Sequence, residues 1–473
     1  MTYPNLSSII KSYDIRGLVD SEVTPELARA IGAAFADAVV LPEGAATVVV
    51  GHDMRDSSPG LVQAAADGLI ARGVDVISIG LCSTDGLYHA SGVLNCPGIM
   101  VTASHNPAQY NGMKLCRALA RAVGEDSGLA VVRELAARYV VDGFEAADAV
   151  GTFTERDMLG EYAAFVRSLV PLDGIRPLTV VVDAANAMAG HTVPAVLGVD
   201  AGLPSLPISV IPLYFELDGT FPNHEANPLD EENLRDLQAA VLAHGADLGL
   251  AFDGDADRCF VVDERGEVVR ASAITCLVGL REAAREMAEG KQPTVLHNLI
   301  SSRAVPEQLS AAGATVVRSK VGHSNIKAQM ASLDAVFGGE HSAHFYFRDF
   351  FFADSGMVAA MHVLAALGEH ESPLSDLLST YDPYPASGEI NSTVASVPQS
   401  LSRVRAAFER EGVDIDELDG ITFTHWPAHG ERWWFNVRGS NTEPLLRLNV
   451  EADSREVMER VRDEALAVIR EDA

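Results

Sequence analysis

The chain has 473 residues, a hydrophobic fraction of 48% and a formal net charge of −31. This length is too great for one hydrophobic core and predicts three or four domains, whose cores the apolar residues are sufficient to fill. Strongly acidic proteins repel the phosphates of nucleic acids and of anionic membranes, so we expect neither as a partner. A phosphorylated substrate would need a local cluster of cations.

The cysteines and the N-terminal segment predict the compartment. The five cysteines are odd in number and no two have CxxC spacing, which favours free thiols in a reducing environment. The N-terminal residues include no apolar signal segment, and the best apolar run, residues 271–280, is too short to cross a bilayer. We therefore expect a soluble, cytoplasmic protein.

Three stretches of the chain share one pattern, an apolar strand followed by a helical segment and a second strand. In chain order these elements are 46–51, 61–72 and 73–80, then 178–183, 184–199 and 207–214, then 293–297, 301–312 and 313–318. Such an order is typical of a parallel strand–helix–strand unit with a right-handed crossover. The pattern predicts three related α/β domains at residues 1–150, 151–262 and 263–370.

The last hundred residues have a different pattern. A stretch rich in serine, proline and tyrosine, 378–388, is predicted to be a linker. Beyond it, helical patterns at 401–411 and 454–471 enclose two apolar strands, 433–437 and 445–450. We predict a small antiparallel α+β domain at residues 371–473.

The first segment that could carry chemistry is Thr102-Ala-Ser-His-Asn-Pro107, directly after an apolar strand at 98–101. Ligands of α/β proteins usually bind where strands end. A serine there, Ser104, backed by backbone N–H groups and by His105, could be a nucleophile or a phosphate carrier. The alternative is that Ser104 and Asn106 only turn the chain before Pro107.

A second segment, between two apolar strands, places carboxylates at alternate positions: Asp253, Asp255 and Asp257. Such carboxylates are hard oxygen ligands and would repel one another without a cation. The loop is not an EF-hand, because Arg258 stands where that loop needs glycine. Three carboxylates leave coordination positions open, which favours Mg²⁺ shared with a phosphate, and Arg258 could bind that phosphate. An acidic hairpin turn is the alternative.

Two later segments contain groups suited to sugars and phosphates. In Gly338-Gly-Glu-His-Ser-Ala-His344, the side chains of Glu340, Ser342 and His344 would share one face of an extended segment. Glu340 and Ser342 could bind sugar hydroxyls and His344 could transfer protons, although an ordinary polar loop has the same composition. The segment Arg438-Gly-Ser-Asn-Thr-Glu-Pro444 could form a phosphate cradle or a simple hairpin turn.

Cations are concentrated near these segments. The chain has only five lysines, and four of them lie in or beside the motifs: Lys11, Lys114, Lys320 and Lys327. A bias toward arginine could produce the same distribution. No G-x-S-x-G element surrounds Ser104, so a serine hydrolase is disfavoured. A serine, a Mg²⁺ site and several phosphate-binding loops together indicate phosphoryl transfer.

In combination, the motifs resemble those of the α-D-phosphohexomutase family, most closely its phosphomannomutase/phosphoglucomutase branch. The matching segments, in order, are 11–17, 102–107, 253–258, 339–344 and 438–444. The resemblance spans essentially the whole chain. It implies three related mixed α/β domains and a C-terminal α+β domain resembling the TATA-box-binding-protein fold, arranged around a central cleft. It also implies interconversion of hexose 6-phosphate and hexose 1-phosphate through a phosphoserine and a hexose 1,6-bisphosphate.

The resemblance assigns a role to each matching residue. Ser104 would carry the phosphoryl group and, with Asp253, Asp255 and Asp257, would hold Mg²⁺. The remaining catalytic candidates are Arg16, Lys114 and His344, for general acid–base work, together with His105. The substrate-binding candidates are Tyr13, Arg258, Lys320, His323, Glu340, Ser342, Arg438, Ser440, Asn441 and Thr442. One departure from the family is His341, where methionine is common.

Hexose phosphates are the expected partners, with hexose 1,6-bisphosphate as activator and intermediate, and we expect a monomer or a dimer. Three other functions remain open from the sequence. A related mutase could act on an amino sugar phosphate such as glucosamine phosphate. A sugar-phosphate-binding relative could have lost catalysis, and a metal-dependent phosphatase could use the same acidic loop.

Overall fold

The computed structural model describes residues 3–11, 14–439 and 445–471, which form four domains, each built on one β-sheet. The central strands of the first three sheets are runs of β-branched and other apolar residues. All five residues of Leu248–Phe252 are buried, for example. Continuous apolar runs are typical of strands that are covered on both faces of the sheet.

The first domain carries a mixed sheet and four helices. Its strands are β1 Ile15–Leu18, β2 Thr47–His52, β3 Asp75–Leu81, β4 Gly98–Val101, β5 Tyr110–Arg117, β6 Arg121–Ala122 and β7 Phe153–Glu155. Its helices are α1 Pro25–Phe35, continued by a π-helical turn Ala36–Val40, α2 Ser58–Ala71, α3 Thr84–Leu94 and α4 Leu129–Asp142, with a 3₁₀ turn at Glu125–Ser127. The strand order is β1-β5-β4-β2-β3-β7, with β6 paired to β5. Because β7 pairs with β3, this sheet extends beyond residue 150.

The second domain follows the same plan. Its elements are α5 Leu159–Leu169, β8 Leu178–Asp183, α6 Ala189–Val196, β9 Ile208–Leu213, a 3₁₀ turn Glu231–Leu234, α7 Arg235–His244, β10 Leu248–Phe252, β11 Cys259–Asp263 and β12 Val268–Val269. The strand order is β12-β11-β10-β8-β9. This sheet extends beyond residue 262, since β12 pairs with β11.

The third domain repeats that strand order. Its elements are α8 Ala271–Ala288, β13 Thr294–Asn298, α9 Ala304–Ala311, β14 Thr315–Ser319, α10 His323–Leu333, β15 Phe337–Gly339, β16 Phe345–Phe347, a 3₁₀ turn Arg348–Phe350, β17 Ala353–Asp354 and α11 Gly356–Gly368. The strand order is β14-β13-β15-β16-β17. Helix α11 is buried along its whole length and joins the cores of the second and third domains.

The three sheets share one connectivity, which confirms the predicted set of three related α/β domains. In each unit the first strand lies between the second and the third and pairs in parallel with both. The third strand then turns back into an antiparallel fourth. These turns join β4 to β5, β10 to β11 and β15 to β16, and each contains one of the predicted motifs.

The fourth domain is an antiparallel α+β unit, as predicted. Its elements are α12 Leu374–Leu378, β18 Ala386–Thr393, α13 Val397–Phe408, β19 Asp414–Asp416, β20 Ile421–His425, β21 Trp433–Gly439, β22 Leu445–Ala452 and α14 Arg455–Ile469. The strand order is β18-β22-β21-β20-β19. The two longer helices pack against the sheet through side chains such as Phe408 and Val461. Resemblance to the TATA-box-binding-protein fold stays a prediction.

The sequence prediction of a linker at 378–388 is wrong in its last part. Residues from 386 onward belong to β18, which pairs antiparallel with β22 and forms an edge of the sheet. Most of its residues are partly or fully exposed, and the pairing is irregular between Ala386 and Glu389. An irregular, polar edge strand lacks the apolar alternation by which strands are predicted. Among the described residues, no helix is both long enough and apolar enough to cross a membrane.

Candidate active site

The equivalent turns of the first three sheets meet at one place. Ser104 follows β4, and its Oγ donates a hydrogen bond of 2.8 Å to Oδ2 of Asp253, which follows β10. On the other side, Arg258 and His344 form an antiparallel β-bridge, which joins the second turn to the third. The motifs therefore form one site although up to 240 residues separate them in the sequence.

Ser104 is held in an unusual backbone conformation. Its φ angle is +50°, a left-handed value that costs a residue with a side chain about 1–2 kcal/mol. Its N–H donates to Oγ1 of Thr102 at 2.9 Å, and only 3% of the residue is exposed. The turn of the second domain approaches closely, because a Cβ on Gly254 would lie 2.2 Å from the carbonyl oxygen of Ser104. A glycine at 254 thus lets the acidic turn reach the serine.

Three completely buried carboxylates stand next to Ser104. Oxygens of Asp253, Asp255 and Asp257 lie within 4.8 Å of one another. Oδ1 of Asp255 and Oδ1 of Asp257 are buried without a hydrogen-bond partner among the described residues. Burial raises the pKa of Asp253 and of Asp257. Oxygen ligands at this spacing, with unsatisfied acceptors, fit a divalent cation of the Mg²⁺ type.

Two cations partly neutralise this cluster. The Nζ of Lys114, on β5, lies 2.6 Å from Oδ2 of Asp255 and also contacts Oδ2 of Asp257. Burial opposes the charge of Lys114, but the two carboxylates outweigh it and raise its pKa. The guanidinium of Arg258 donates to Oδ2 of Asp253 at 2.8 Å. When all three carboxylates are ionised they outnumber these two cations, and a bound metal ion would balance the excess negative charge.

The third turn places a carboxylate, a hydroxyl and an imidazole together. Glu340 accepts hydrogen bonds from the Tyr346 hydroxyl at 2.6 Å and from the Gly322 N–H at 3.0 Å. Burial raises its pKa. Ser342 Oγ lies 2.9 Å from Nδ1 of His344, whose Nε2 is 3.7 Å from Oδ1 of Asp257. Burial lowers the pKa of His344 to about 4, so its ring is uncharged near neutral pH.

The N-terminal strand supplies another cation to the serine turn. Arg16, on β1, donates to the Ala103 carbonyl at 3.3 Å and pairs with Asp14 at 2.7 Å. His105 places its Nδ1 3.3 Å from Ser104 Oγ. Burial, together with the charge of Arg258, holds the pKa of His105 well below its usual value. Tyr13, a predicted substrate-binding residue, lies outside the described residues.

The fourth domain brings Arg438 to the edge of the site. Arg438, on β21, donates to Oε2 of Glu389 at 3.0 Å, and Arg447 donates to Oε1 of the same residue at 3.2 Å. Glu389 Oε2 is also 3.9 Å from Nε2 of His341 in the third turn. Ser440, Asn441 and Thr442 lie outside the described residues. The fourth domain thus contacts the turn that is predicted to bind the sugar.

Lys320 and His323 flank the segment that joins β14 to α10. Lys320 is exposed, and His323 is the first residue of α10, with its side chain outside the described part. Between them, the N–H of Val321 donates to Asp419 of the fourth domain at 3.2 Å, and Gly322 binds Glu340. The segment therefore lies where the third and fourth domains meet.

Comparison with known families agrees with this arrangement. Four models described as phosphoglucomutase/phosphomannomutase match the chain in order: α/β/α domain I at 7–138, domain II at 161–266, domain III at 273–384 and the C-terminal domain at 389–468. The chain belongs to this family. The predicted recognition and the predicted enzyme class, a phosphohexomutase of the isomerase type, are thereby confirmed.

Individual relatives cover the same length. A protein named "Phosphohexose mutases" from Xanthomonas campestris is 41% identical over 445 residues, 93% of this chain and 94% of the relative. A phosphomannomutase of Escherichia coli is 39% identical over 448 residues, with 93% and 94% covered. The crystal structure of a phosphoglucomutase/phosphomannomutase family protein from Burkholderia thailandensis superposes with a TM-score of 0.85 at 30% identity, covering 98% of each chain.

Two residues of this phosphohexomutase site were missed from the sequence. Thr84, the first residue of α3, donates from Oγ1 to Oδ2 of Asp255 at 2.6 Å. Asp85 is buried and accepts from Tyr162 of the second domain at 2.7 Å and from Ser355 of the third at 2.6 Å. Both polar residues lie within four residues of the end of strand β3, a position at which α/β proteins bind ligands, and this placement is the signal in the sequence.

Proposed function

We propose that the protein interconverts hexose 6-phosphates and hexose 1-phosphates as a phosphomannomutase/phosphoglucomutase, with Ser104 as the phosphate carrier. The observation that carries this proposal is the hydrogen bond from Ser104 Oγ to Asp253, which is one of three buried carboxylates that lie close together. A serine on a strained turn beside a cation site is suited to holding a phosphoryl group. Family membership supports the same assignment.

Asp253, Asp255 and Asp257 are the proposed ligands of Mg²⁺. The buried, unsatisfied oxygens of Asp255 and Asp257 support this assignment. When bound, the ion would offset negative charge on the transferred phosphoryl group. Thr84 and Lys114 hold Asp255 in a fixed orientation, and Arg258 does the same for Asp253.

In the proposed first half-reaction, the free hydroxyl of a hexose monophosphate attacks the phosphorus of phospho-Ser104. A new P–O bond forms as the bond to Oγ breaks, and the electron pair of the broken bond returns to Oγ. The hydroxyl gives up its proton to a base. The hexose 1,6-bisphosphate then reverses its orientation and its other phosphoryl group returns to Ser104, which leaves the isomerised monophosphate.

The side chains around Ser104 are proposed to transfer protons or to stabilise charge. His344 is the proposed base, because its imidazole lies at the carboxylate cluster, with Nε2 3.7 Å from Oδ1 of Asp257, and is uncharged near neutral pH. Lys114, whose pKa is raised, stays charged and stabilises negative charge as it develops. Arg16 contacts the turn that carries Ser104, and His105 belongs to that turn. These two residues are the other candidates for proton transfer. Closure of the site against water would protect phospho-Ser104 from hydrolysis.

The phosphate that is not transferred is proposed to bind at the fourth domain. Arg438 would anchor it, with Ser440, Asn441 and Thr442, while Tyr13, Arg258, Lys320 and His323 are further candidates. Glu340 and Ser342 are proposed to bind sugar hydroxyls in either orientation of the ring. The names of the relatives favour mannose phosphates over amino sugar phosphates as substrates. The free, buried state of all five cysteines supports our proposal of a cytoplasmic location.

The proposal is tested by turnover of mannose 1-phosphate, glucose 1-phosphate and glucosamine 1-phosphate, each with and without a hexose 1,6-bisphosphate. We expect mutase turnover of the first two, stimulated by the bisphosphate, and one phosphoryl group on Ser104 by intact-mass and peptide analysis. Preference for glucosamine 1-phosphate would move the substrate to the amino sugar class. Release of inorganic phosphate without isomerisation would indicate a phosphatase, and binding without turnover would indicate a non-catalytic relative.

A further inference from the structure

A buried arginine, Arg55, binds the backbone of the loop that carries Ser104. Arg55 lies in the turn between β2 and α2, and only 2% of it is exposed. Its Nη1 and Nη2 each donate to two carbonyl oxygens of the loop, at distances from 2.6 to 2.9 Å. The four acceptors belong to Ser104, Asn106, Pro107 and Tyr110. One side chain therefore binds most of the turn from its interior.

The guanidinium is suited to this task and is itself fixed in place. Its planar fork of N–H donors can reach several carbonyl oxygens at once, which the single ammonium of a lysine cannot do with the same geometry. Oδ2 of Asp53 lies 3.3 Å from its Nε. The ring of Phe221, from the second domain, stacks 5.1 Å from the guanidinium carbon. A Cβ on Gly219 would lie 2.7 Å from the Cα of Arg55, so the second domain packs directly against this turn.

The arginine bears directly on the geometry of the serine. Ser104 has its left-handed φ of +50° while Arg55 binds its carbonyl oxygen and Asp253 accepts from its hydroxyl. A left-handed residue persists only where its surroundings enforce it. If the loop were released, Ser104 would relax toward a more favourable backbone conformation and Oγ would move away from the carboxylate cluster. A displacement of about 1 Å at a reacting group can reduce the rate about 100-fold.

We propose that Arg55 is a positioning residue for phosphoryl transfer, which holds the Ser104 loop in its reactive conformation through four backbone carbonyls. The inference rests on the proposed function, because it requires Ser104 to carry the phosphoryl group. Among the described residues, the hydrogen bonds, the ion pair and the ring contact of the Arg55 side chain involve this loop, Asp53 and Phe221, and none involves a residue proposed to bind the sugar or its phosphate. Its loss should therefore reduce kcat and leave KM nearly unchanged.

The test compares Arg55→Met and Arg55→Lys with the same substitutions at a second arginine of similar type. Arg167, on α5, donates to the backbone carbonyls of Val196, Gly198 and Pro204, at the periphery of the second domain. For Arg55→Met we expect kcat to fall about 100-fold with KM within about twofold of wild type. Arg55→Lys should lose less of the wild-type kcat than Arg55→Met does. Both Arg167 variants should lower Tm but keep the wild-type kcat.

Hydrogen exchange of the loop supplies a measurement that does not depend on turnover. The N–H groups of Ser104, Asn106 and Tyr110 donate within the loop, to Thr102, Ala103 and Pro107. We expect these amides to exchange faster in the Arg55 variants than in the wild type and in the Arg167 variants. This comparison can be made with Arg55→Lys alone if Arg55→Met does not fold.

Three outcomes would overturn the inference. They are a folded Arg55→Met protein with wild-type kcat, a loss confined to KM, and loop amides that exchange at the wild-type rate in Arg55→Lys. Failure of the proposed function would look different, because the wild-type enzyme itself would then show no mutase turnover. Even in that case, loop exchange in the Arg55 variants would decide whether this side chain holds the Ser104 loop.

Discussion

Ser104 Oγ lies 2.8 Å from Oδ2 of Asp253, although 149 residues separate the two in the chain and they belong to different domains. The contact forms because both residues occupy the same turn, that between the third and fourth strands, of two sheets with the same connectivity. The proposed phosphate carrier and the proposed metal ligands thus come from two copies of one structural unit. The interface between the domains sets the distance on which phosphoryl transfer would depend.

The first prediction concerns Ser104 itself. Ser104→Ala should reduce mutase turnover below detection, because no side-chain oxygen remains to accept the phosphoryl group. Ser91→Ala is a matched control, since Ser91 is also a buried serine of the first domain and donates to the carbonyl of Cys96. That variant should keep its activity even if it is less stable. Substantial turnover by Ser104→Ala would rule out a phospho-Ser104 mechanism.

The second prediction concerns the residue that orients a proposed metal ligand. Thr84→Val removes the hydroxyl that donates to Asp255 at 2.6 Å and keeps the shape of the side chain. Loss of such a supporting contact typically weakens metal binding about 10–100-fold. We therefore expect the Mg²⁺ concentration for half-maximal activity to rise by that factor. Thr192→Val, which removes a buried hydroxyl bonded to the Met188 carbonyl, should leave the Mg²⁺ dependence unchanged.

Much of this architecture is predictable from local sequence patterns. Strand β4 was predicted at its observed bounds, Gly98–Val101, and the three α/β units follow from apolar runs that alternate with helical periodicity. The polar segments at the ends of these strands could also be found, since that is where α/β folds bind ligands. Local pattern is sufficient for these features because each arises within about thirty residues.

Contacts between domains could not be predicted in the same way. No local signal links Thr84 to Asp255 or Asp85 to Ser355, which lie 171 and 270 residues apart. The edge strand β18 was missed because an edge needs no apolar alternation, and its partner β22 follows more than fifty residues later. The sequence therefore predicts which residues form the site, whereas the packing of the domains decides which of these residues are in contact.

The third prediction concerns the proposed phosphate cradle. Arg438→Ala should raise KM about 10–100-fold with little change in kcat, because a hydrogen bond to a charged group contributes about 1.5–3 kcal/mol and this one would be made equally in the bound and reacting states. Arg447→Ala is the matched control, since Arg447 binds the same Glu389 but lies outside the motif. If kcat collapsed while KM stayed constant, Arg438 would belong to the chemical step instead.

The fourth prediction concerns Asp85, the carboxylate that joins three domains. Burial raises its pKa to about 6, whereas an unfolded chain leaves an aspartate near a pKa of about 3.9. Between these pH values the native state binds more protons than the unfolded state, so the contribution of Asp85 to stability falls as the pH rises from about 4 to about 6. The amide side chain of Asp85→Asn does not titrate, so this variant does not lose stability in this way as the pH rises.

Thermal melts of wild type and Asp85→Asn across this pH range provide the measurement. The hydrogen bonds from Tyr162 and Ser355 to one oxygen of Asp85 cannot all be kept by an amide, so the variant can be less stable at every pH. Its Tm relative to wild type should nevertheless increase from about pH 4 to above pH 6, because the wild type alone must then hold a buried charge. A Tm difference that is constant over this range would show that Asp85 is already ionised at pH 4 in the folded protein.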